Sequence, residues 1–451
     1  MKSRPRISTT FPLVFAISAS IGILVYRFSQ VDGILHPVHI SGDSMATAFV
    51  GDHFLLHCHD CSIPYRCSVE RAAVGDETKC PNCGYEKNIV TNNAFTRGER
   101  VLIDHFSWHS KEPQRWEPIA LQDPEAPERW IVKRLIGLPH ERVAIRQGEI
   151  YINDKIQRKS LDEFKRLAIL VHNDRFRPRI SPGLLPRWQP ESPNSNWQSS
   201  QSGYRYSRAQ NDFDDVDQNS IPAIDWLIFR NWNNAPQSIP AVERDQEAPL
   251  VDTYGYNQSL PRGSLNMVAD WLLHCQCHWS ISGKIALLAN TGYDVLQVDI
   301  LAAERKLIYL RNDVAIKTKP LPPATKDQPQ LLEFGTFDQQ LILAIDGHVL
   351  LEEQIEPAEV TSSNSVRMLA IGAQQGELTV KWPQITRDIY YIAPSADQQT
   401  WKRTDPLDGN GFFLLGDNPP RSTDSRRWPN PQIKRNLLRG RVLKFAPSST
   451  E

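Results

Sequence analysis

The stretch "RWIVKRLIGLPHERVAIRQGEIYIND", residues 129–154, reads as strand, turn, strand, turn. β-Branched residues fill its apolar runs, while Gly137-Leu138-Pro139 and Asn153-Asp154 supply turn chemistry. It predicts a β core. It also sets Lys133 among Trp130, Ile131, Val132, Leu135 and Ile136. Burial in such surroundings disfavours an ammonium and lowers a lysine from its ordinary ~10.4. Strand alternation sends the adjacent Arg134 to the opposite face, toward water.

Working outward, the chain has 451 residues, enough for two to four domains. Lys and Arg number 51 against 52 Asp and Glu, so no field suited to nucleic acid is implied. The N-terminus, "MKSRPRISTTFPLVFAISASIGILVYRFSQ", places Lys2, Arg4 and Arg6 before an uncharged run. Residues 11–26 of a helix would span about 24 Å, short of the ~30 Å hydrocarbon core. Extending from Thr9 to Ser29 closes that gap. A cleaved signal peptide is the rival, but no small-residue cleavage site follows the run. The expectation is an uncleaved single-pass anchor in the cytoplasmic (inner) membrane. Its basic flank puts the N-terminus in the cytoplasm and the remainder on the outer face.

The fold class expected is mainly β, and the organisation is read as follows. Residues 1–10 form a cytoplasmic tail and 11–28 the transmembrane helix. A discontinuous β core comprises 29–56, 94–173 and 396–447, interrupted by a cysteine-bearing insertion at 57–93. Within it, "GERVLIDHF" (98–106) echoes "GDHFLLHC" (51–58), as though the insertion interrupts one sheet. Residues 174–223, rich in Pro, Ser and Asn, read as a linker. Short strands across 224–395 argue for an inserted β-sandwich, with a hairpin turn at Asp346-Gly347.

Seven cysteines make an odd count, five of them between Cys58 and Cys83. Cys58 with Cys61, and Cys80 with Cys83, form two Cys-x-x-Cys knuckles able to bind one structural Zn²⁺. Disulfides are the alternative in an extracytoplasmic setting. Cys67, His57 and His59 are spare donors. In "HCQCH" (274–278), Cys275 and Cys277 share one strand face and read as ordinary packing.

Four phrases then fall into order: "GDSM" (42–45), "GERVLIDHF" (98–106), "KRLIGLP" (133–139) and "GDNPPRSTDSR" (416–426). Together, behind the anchor, they resemble the type I signal peptidases, membrane-bound serine proteases with a Ser/Lys dyad. The resemblance covers roughly a third of the chain. It implies that Ser44 is the nucleophile and Lys133 the general base, with no cofactor for catalysis. It implies further that Ser422 orients the lysine and that Asp417, Asp424 and Arg426 hold the last loop together. The oxyanion would rest on backbone N–H groups near Gly42 and Ser44. Two departures stand out. Met45 is followed by Ala46-Thr47-Ala48, without the family's proline, and Pro419-Pro420-Arg421 replaces a common Arg-Asp-Asn.

The implied substrates are precursor proteins with signal peptides, cut after a small residue beside the lipid bilayer and the secretion machinery. The sandwich phrases "FDQQLILAIDGHVLLEE" (337–353) and "VRMLAIGAQQGELTVKWPQITRDIYYI" (366–392) resemble concanavalin-like jelly rolls. That suggests a carbohydrate or protein ligand. The competing reading is an inactive anchored binding protein whose sandwich is the working part.

Overall fold

The computed structural model describes residues 18, 20, 22, 35–106, 108, 111–179, 186–208, 223–232, 247–258, 265–280, 283–322, 328–355, 368–392 and 400–444. The expected anchor lies, but for three positions, outside the described residues. Among those described, no helix is long and apolar enough to cross a membrane.

A seven-stranded antiparallel sheet carries the candidate site. Its strands are β1 (Leu35–His39), β2 (Arg100–Asp104), β3 (Pro118–Gln122), β4 (Trp130–Gly137), β5 (Gly411–Leu415), β6 (Ile433–Lys434) and β7 (Leu438–Lys444). Their spatial order is β1-β2-β7-β3-β4-β5-β6. The chain's last described strand therefore fills the middle of the sheet. β4 alternates as its sequence implies. Leu135 packs with Ile119, Leu121 and Leu414 on one face, and Ile136 enters a second core on the other.

That second face is where the sequence reading needs correction. Arg134 does point away from Lys133, but a second sheet covers it rather than water. This sheet runs in the order 155–156, 149–152, 143–146, 400–402. Val143, Ile145, Ile150 and Ile152 pack with Phe413 and Leu415 between the two sheets. Arg134, only 4% exposed, instead pairs with Asp417 and donates to the Trp116 carbonyl at 2.8 Å.

The remaining bulk is a β-sandwich of an eight-stranded and a seven-stranded sheet. Their inner faces bury Trp188, Trp197, Tyr206, Leu287, Phe334 and Leu343, among others. At the predicted hairpin, strands 340–345 and 348–354 are joined through Asp346 and Gly347, with φ of 50° and 76°. That is the left-handed geometry that two-residue hairpin turns demand.

Two expected boundaries move. Residues 188–190, 197–200 and 203–208, expected within the linker, are sandwich strands. Their aromatic residues Trp188, Trp197, Tyr204 and Tyr206 are buried in its core. Residues 169–173, expected in the β core, pair with the long sandwich strand 376–387. The echo between 51–58 and 98–106 also misleads. Strand 53–57 pairs with 64–68 and 95–96 in the insertion's own three-stranded sheet, not with β2.

Candidate active site and cysteine cluster

Ser44 and Lys133 line the same cleft, about 490 Å³ in volume, with Gly42, Met45, Asp123, Trp130 and Arg421 also on its walls. Ser44 sits just beyond β1, in a turn where the Ala46 N–H donates to the Asp43 carbonyl at 3.1 Å and that of Phe49 to Met45 at 2.8 Å. Met45 fixes this turn to the sheet. Its side chain, 1% exposed, packs with Val101, Ile103 and Val442. Gly42 is exposed, and a Cβ there would meet nothing within 4 Å, so the wall beside Ser44 is open.

Lys133 comes from β4 and is 3% exposed. Burial, the largest influence, drives its ammonium toward the neutral amine. Asp424 pulls back, Arg426 opposes it, and the balance pushes the pKa down to about 8. Asp424 is spent largely on other partners. It accepts from Arg426 at 2.9 and 2.7 Å and from the Gly416 N–H at 3.0 Å. Its own carboxyl is pushed up by burial and pulled down further by Arg426, ending below the usual range. A neutral lysine is thus favoured beside a carboxylate already engaged.

The 416–426 loop packs directly against the turn that carries Ser44. Asn418 donates its N–H to the Ser44 carbonyl and its side chain to the Asp43 carbonyl, both at 3.0 Å. A Cβ on Gly416 would lie 2.5 Å from the Ser44 carbonyl oxygen and 2.2 Å from Ser422 Oγ, so only glycine permits this approach. Asp417 pairs with Arg134, tying the loop to the face of β4 opposite Lys133. Ser422 is fully buried, yet its hydroxyl finds no hydrogen-bond partner among the described residues. The resemblance implies a bond from this hydroxyl to the lysine; the structure brings Ser422 to the site without that bond.

Sequence reasoning missed two groups. Asp43, 5% exposed, accepts hydrogen bonds from Ser68 Oγ and from Tyr256 Oη, the latter at 2.9 Å. At the junction with the sandwich, Lys159 is 4% exposed and bridges Asp338 at 2.5 Å and Asp388 at 2.8 Å. Glu149 and Asp270 close the same cluster. Asp43 lies within the "GDSM" phrase, but its partners do not, and the members of the Lys159 cluster likewise come from segments far apart in the chain.

In the insertion, the thiols of Cys58, Cys61, Cys80 and Cys83 lie within 4.8 Å of one another, all buried. Cys58 is 3.6 Å from Cys83, and Cys61 is 3.7 Å from Cys80. A zinc–thiolate bond of ~2.3 Å gives a tetrahedron with edges of about 3.8 Å, so the donor set fits that ion. Cys67 stands apart, its thiol pushed up to about 11 by burial. His57 and His59 are not in the cluster. Cys275 and Cys277 are buried in the sandwich core.

The family described as "Signal peptidase, peptidase S26" matches residues 89–203. That span contains β4 and Lys133, but neither Ser44 nor the 416–426 loop. Among curated proteins, signal peptidase I V of Bacillus subtilis (strain 168) is 28% identical over 69 residues, 15% of this chain and 40% of its own length. A probable signal peptidase I-2 of Synechocystis is 26% identical over 91 residues, 19% of this chain and 39% of its own. The chain thus spans about two fifths of the length of these relatives. Similar solved structures include a carbohydrate binding module, CBM66, from Bacillus subtilis. It is 8% identical with a TM-score of 0.27, over 45% of this chain and 96% of that one. Caenorhabditis elegans galectin LEC-6 is 12% identical with a TM-score of 0.20, over 26% and 81%.

Proposed function

We propose that the protein is a membrane-anchored signal peptidase I-like serine endopeptidase, with Ser44 as nucleophile and Lys133 as general base. The observation carrying this reading is a lysine buried in the cleft it shares with Ser44, its pKa pushed down to about 8. A serine hydroxyl needs a base, and a lysine can serve only as the free amine.

The precursor lies extended in the cleft. Residues 130–133 of β4 pair with β3 on one side, whereas β5 begins pairing only at Arg134. The half-strand edge so left meets the cleft, and an extended peptide pairs there by backbone hydrogen bonds. Lys133 Nζ takes the Ser44 proton as Oγ attacks the carbonyl of a small residue at the cleavage point. The oxyanion is held by backbone N–H groups at 42–44, where the wall is open. Lys133 then passes its proton to the leaving amine. The neutral Lys133 amine next takes a proton from water, whose oxygen attacks the ester, and returns it to Ser44 Oγ as the acyl group leaves.

Cys58, Cys61, Cys80 and Cys83 would hold one structural Zn²⁺, which supplies cross-linking of the insertion and no chemistry at Ser44. Metal analysis should find about one zinc per chain, lost on Cys80→Ser. The anchor at 11–28 places the cleft on the outer face of the inner membrane, near emerging precursors. The sandwich would take a carbohydrate or protein ligand.

The deciding experiment compares cleavage of a model precursor by detergent-solubilised wild type, Ser44→Ala and Lys133→Ala. Release of mature product by the wild type alone, with both variants folded, supports the dyad. Equal inertness of all three on several precursors would sink it in favour of an anchored binding protein.

A further inference from the structure

The nucleophile turn lacks a stiffening proline: Met45 is followed by Ala46-Thr47-Ala48. Something else must hold it, since a misplacement of about 1 Å at a reacting atom can cost on the order of a hundredfold in rate. Asp43, the residue before Ser44, is buried, and its two carboxylate oxygens are held from two different insertions. Ser68 Oγ, fully buried at the end of strand 64–68, donates to Oδ2. Tyr256, 3% exposed in the short 3₁₀ turn Gly255–Asn257, donates to Oδ1 at 2.9 Å. Its ring also packs against Ala46 and Val50, within the same turn.

The two donors are themselves linked. Gly255 is in contact with Pro81, inside the second cysteine knuckle: a Cβ on Gly255 would lie 2.7 Å from the proline ring. The Lys79 N–H donates to Gln258 Oε1 at 2.9 Å. On the far side of Tyr256, Asn257 exchanges two hydrogen bonds with Asn418, at 2.7 and 2.8 Å. Asn418 in turn donates to the carbonyls of Asp43 and Ser44. Side chains from the cysteine insertion, the sandwich flank and the last loop therefore converge on one carboxylate and the two peptide units beside it.

We propose that Tyr256 and Ser68 are positioning residues for Ser44, acting through Asp43 to replace the missing stiffness of the nucleophile turn. The inference rests on Ser44 being the nucleophile, and the cysteine insertion thereby becomes part of the protease rather than an ornament on it. A hydrogen bond to a carboxylate is among the stronger kinds, and two on one buried carboxylate fix its rotamer as well as its position.

The test uses the full detergent-solubilised chain with Tyr256→Phe, Ser68→Ala, Asp43→Asn and Asp43→Ala. Hydrogen exchange of the 41–50 amides and precursor cleavage are measured on the same samples. Tyr256→Phe and Ser68→Ala should each speed exchange across 41–50 and lower kcat about tenfold, leaving KM within twofold. Asp43→Asn, which keeps an acceptor for Tyr256, should fall between wild type and Asp43→Ala. Unchanged exchange in both Tyr256→Phe and Ser68→Ala overturns the proposal, as does faster exchange with an unchanged kcat. If the wild type cleaves nothing, the protease reading fails separately, and exchange alone decides whether the two hydroxyls hold the turn.

Discussion

Two lysines, Lys133 and Lys159, are almost equally hidden, at 3% and 4% exposure, yet their ammonium groups are driven in opposite directions. Lys133 is pushed down to about 8, because burial outweighs an Asp424 that is already bonded to Arg426. Lys159 is also penalised by burial, but Asp388 and Asp338 at direct contact, with Glu149 behind them, carry it well above its ordinary value. Its ammonium also lies 4.8 Å from the centre of the Trp116 ring. Depth therefore does not make a lysine reactive. What separates a base from a rivet is whether the nearby carboxylates are free to pair with it.

The contrast can be broken most directly by deleting each lysine. Lys133→Ala should cut precursor cleavage by about a thousandfold or more, with a melting temperature near that of the wild type. Lys159→Met should do the reverse. It leaves Asp338 and Asp388 buried without their cation, and denaturant unfolding should show a loss of about 3–5 kcal/mol. Comparable stability losses in the two variants would refute the distinction.

Acidity offers a gentler probe. As the proposed general base, Lys133 would be competent only as the free amine, so kcat/KM should fall about tenfold per pH unit below 8 and level off above it. The Lys159 cluster responds with the opposite sign. Asp270 is raised to about 7, by burial first and then by Asp338 and Asp388. A carboxyl raised on folding adds stability at low pH, and that contribution disappears as pH rises through about 7. Melting temperatures at pH 6 and 8.5 should therefore decline while activity climbs.

The smallest effect should come from Asp123→Asn. Asp123 lines the cleft and its charge favours the Lys133 ammonium. Its removal should move the acid limb of the rate profile downward by less than about one unit. A limb that stays in place would show that Arg129, which pairs with Asp123, already offsets this charge at the lysine.

Local chemistry made much of this arrangement legible. The alternation of β4, the desolvated surroundings of Lys133, the Asp346-Gly347 turn and the two cysteine knuckles are each contained in a few adjacent residues. What escaped depends on partners distant in the chain. Alternation puts Arg134 on the right face, but nothing near it in the chain reveals that a second sheet covers that face. Residues 188–208 read as linker because Pro, Ser and Asn dominate the composition. Yet Tyr204 and Tyr206 alternate as a strand should, and they are buried in the sandwich core. Asp43 carries no sign of its role, since its partners are Ser68 and Tyr256.

The place of β7 at the centre of the sheet has a bearing on synthesis. Ser44 follows β1, whereas Lys133 lies on β4, and β7 is the strand between the β1–β2 and β3–β4 pairs. A nascent chain that has not yet reached residue 438 holds Ser44 and Lys133 on strand pairs that lack the strand uniting them in one sheet. On the proposed Ser/Lys reading, such a chain is expected to be inert toward neighbouring polypeptides on the ribosome until the residues of β7 have been added. Labelling of stalled and released chains with a serine-directed probe would measure this, and equal labelling of both would contradict it.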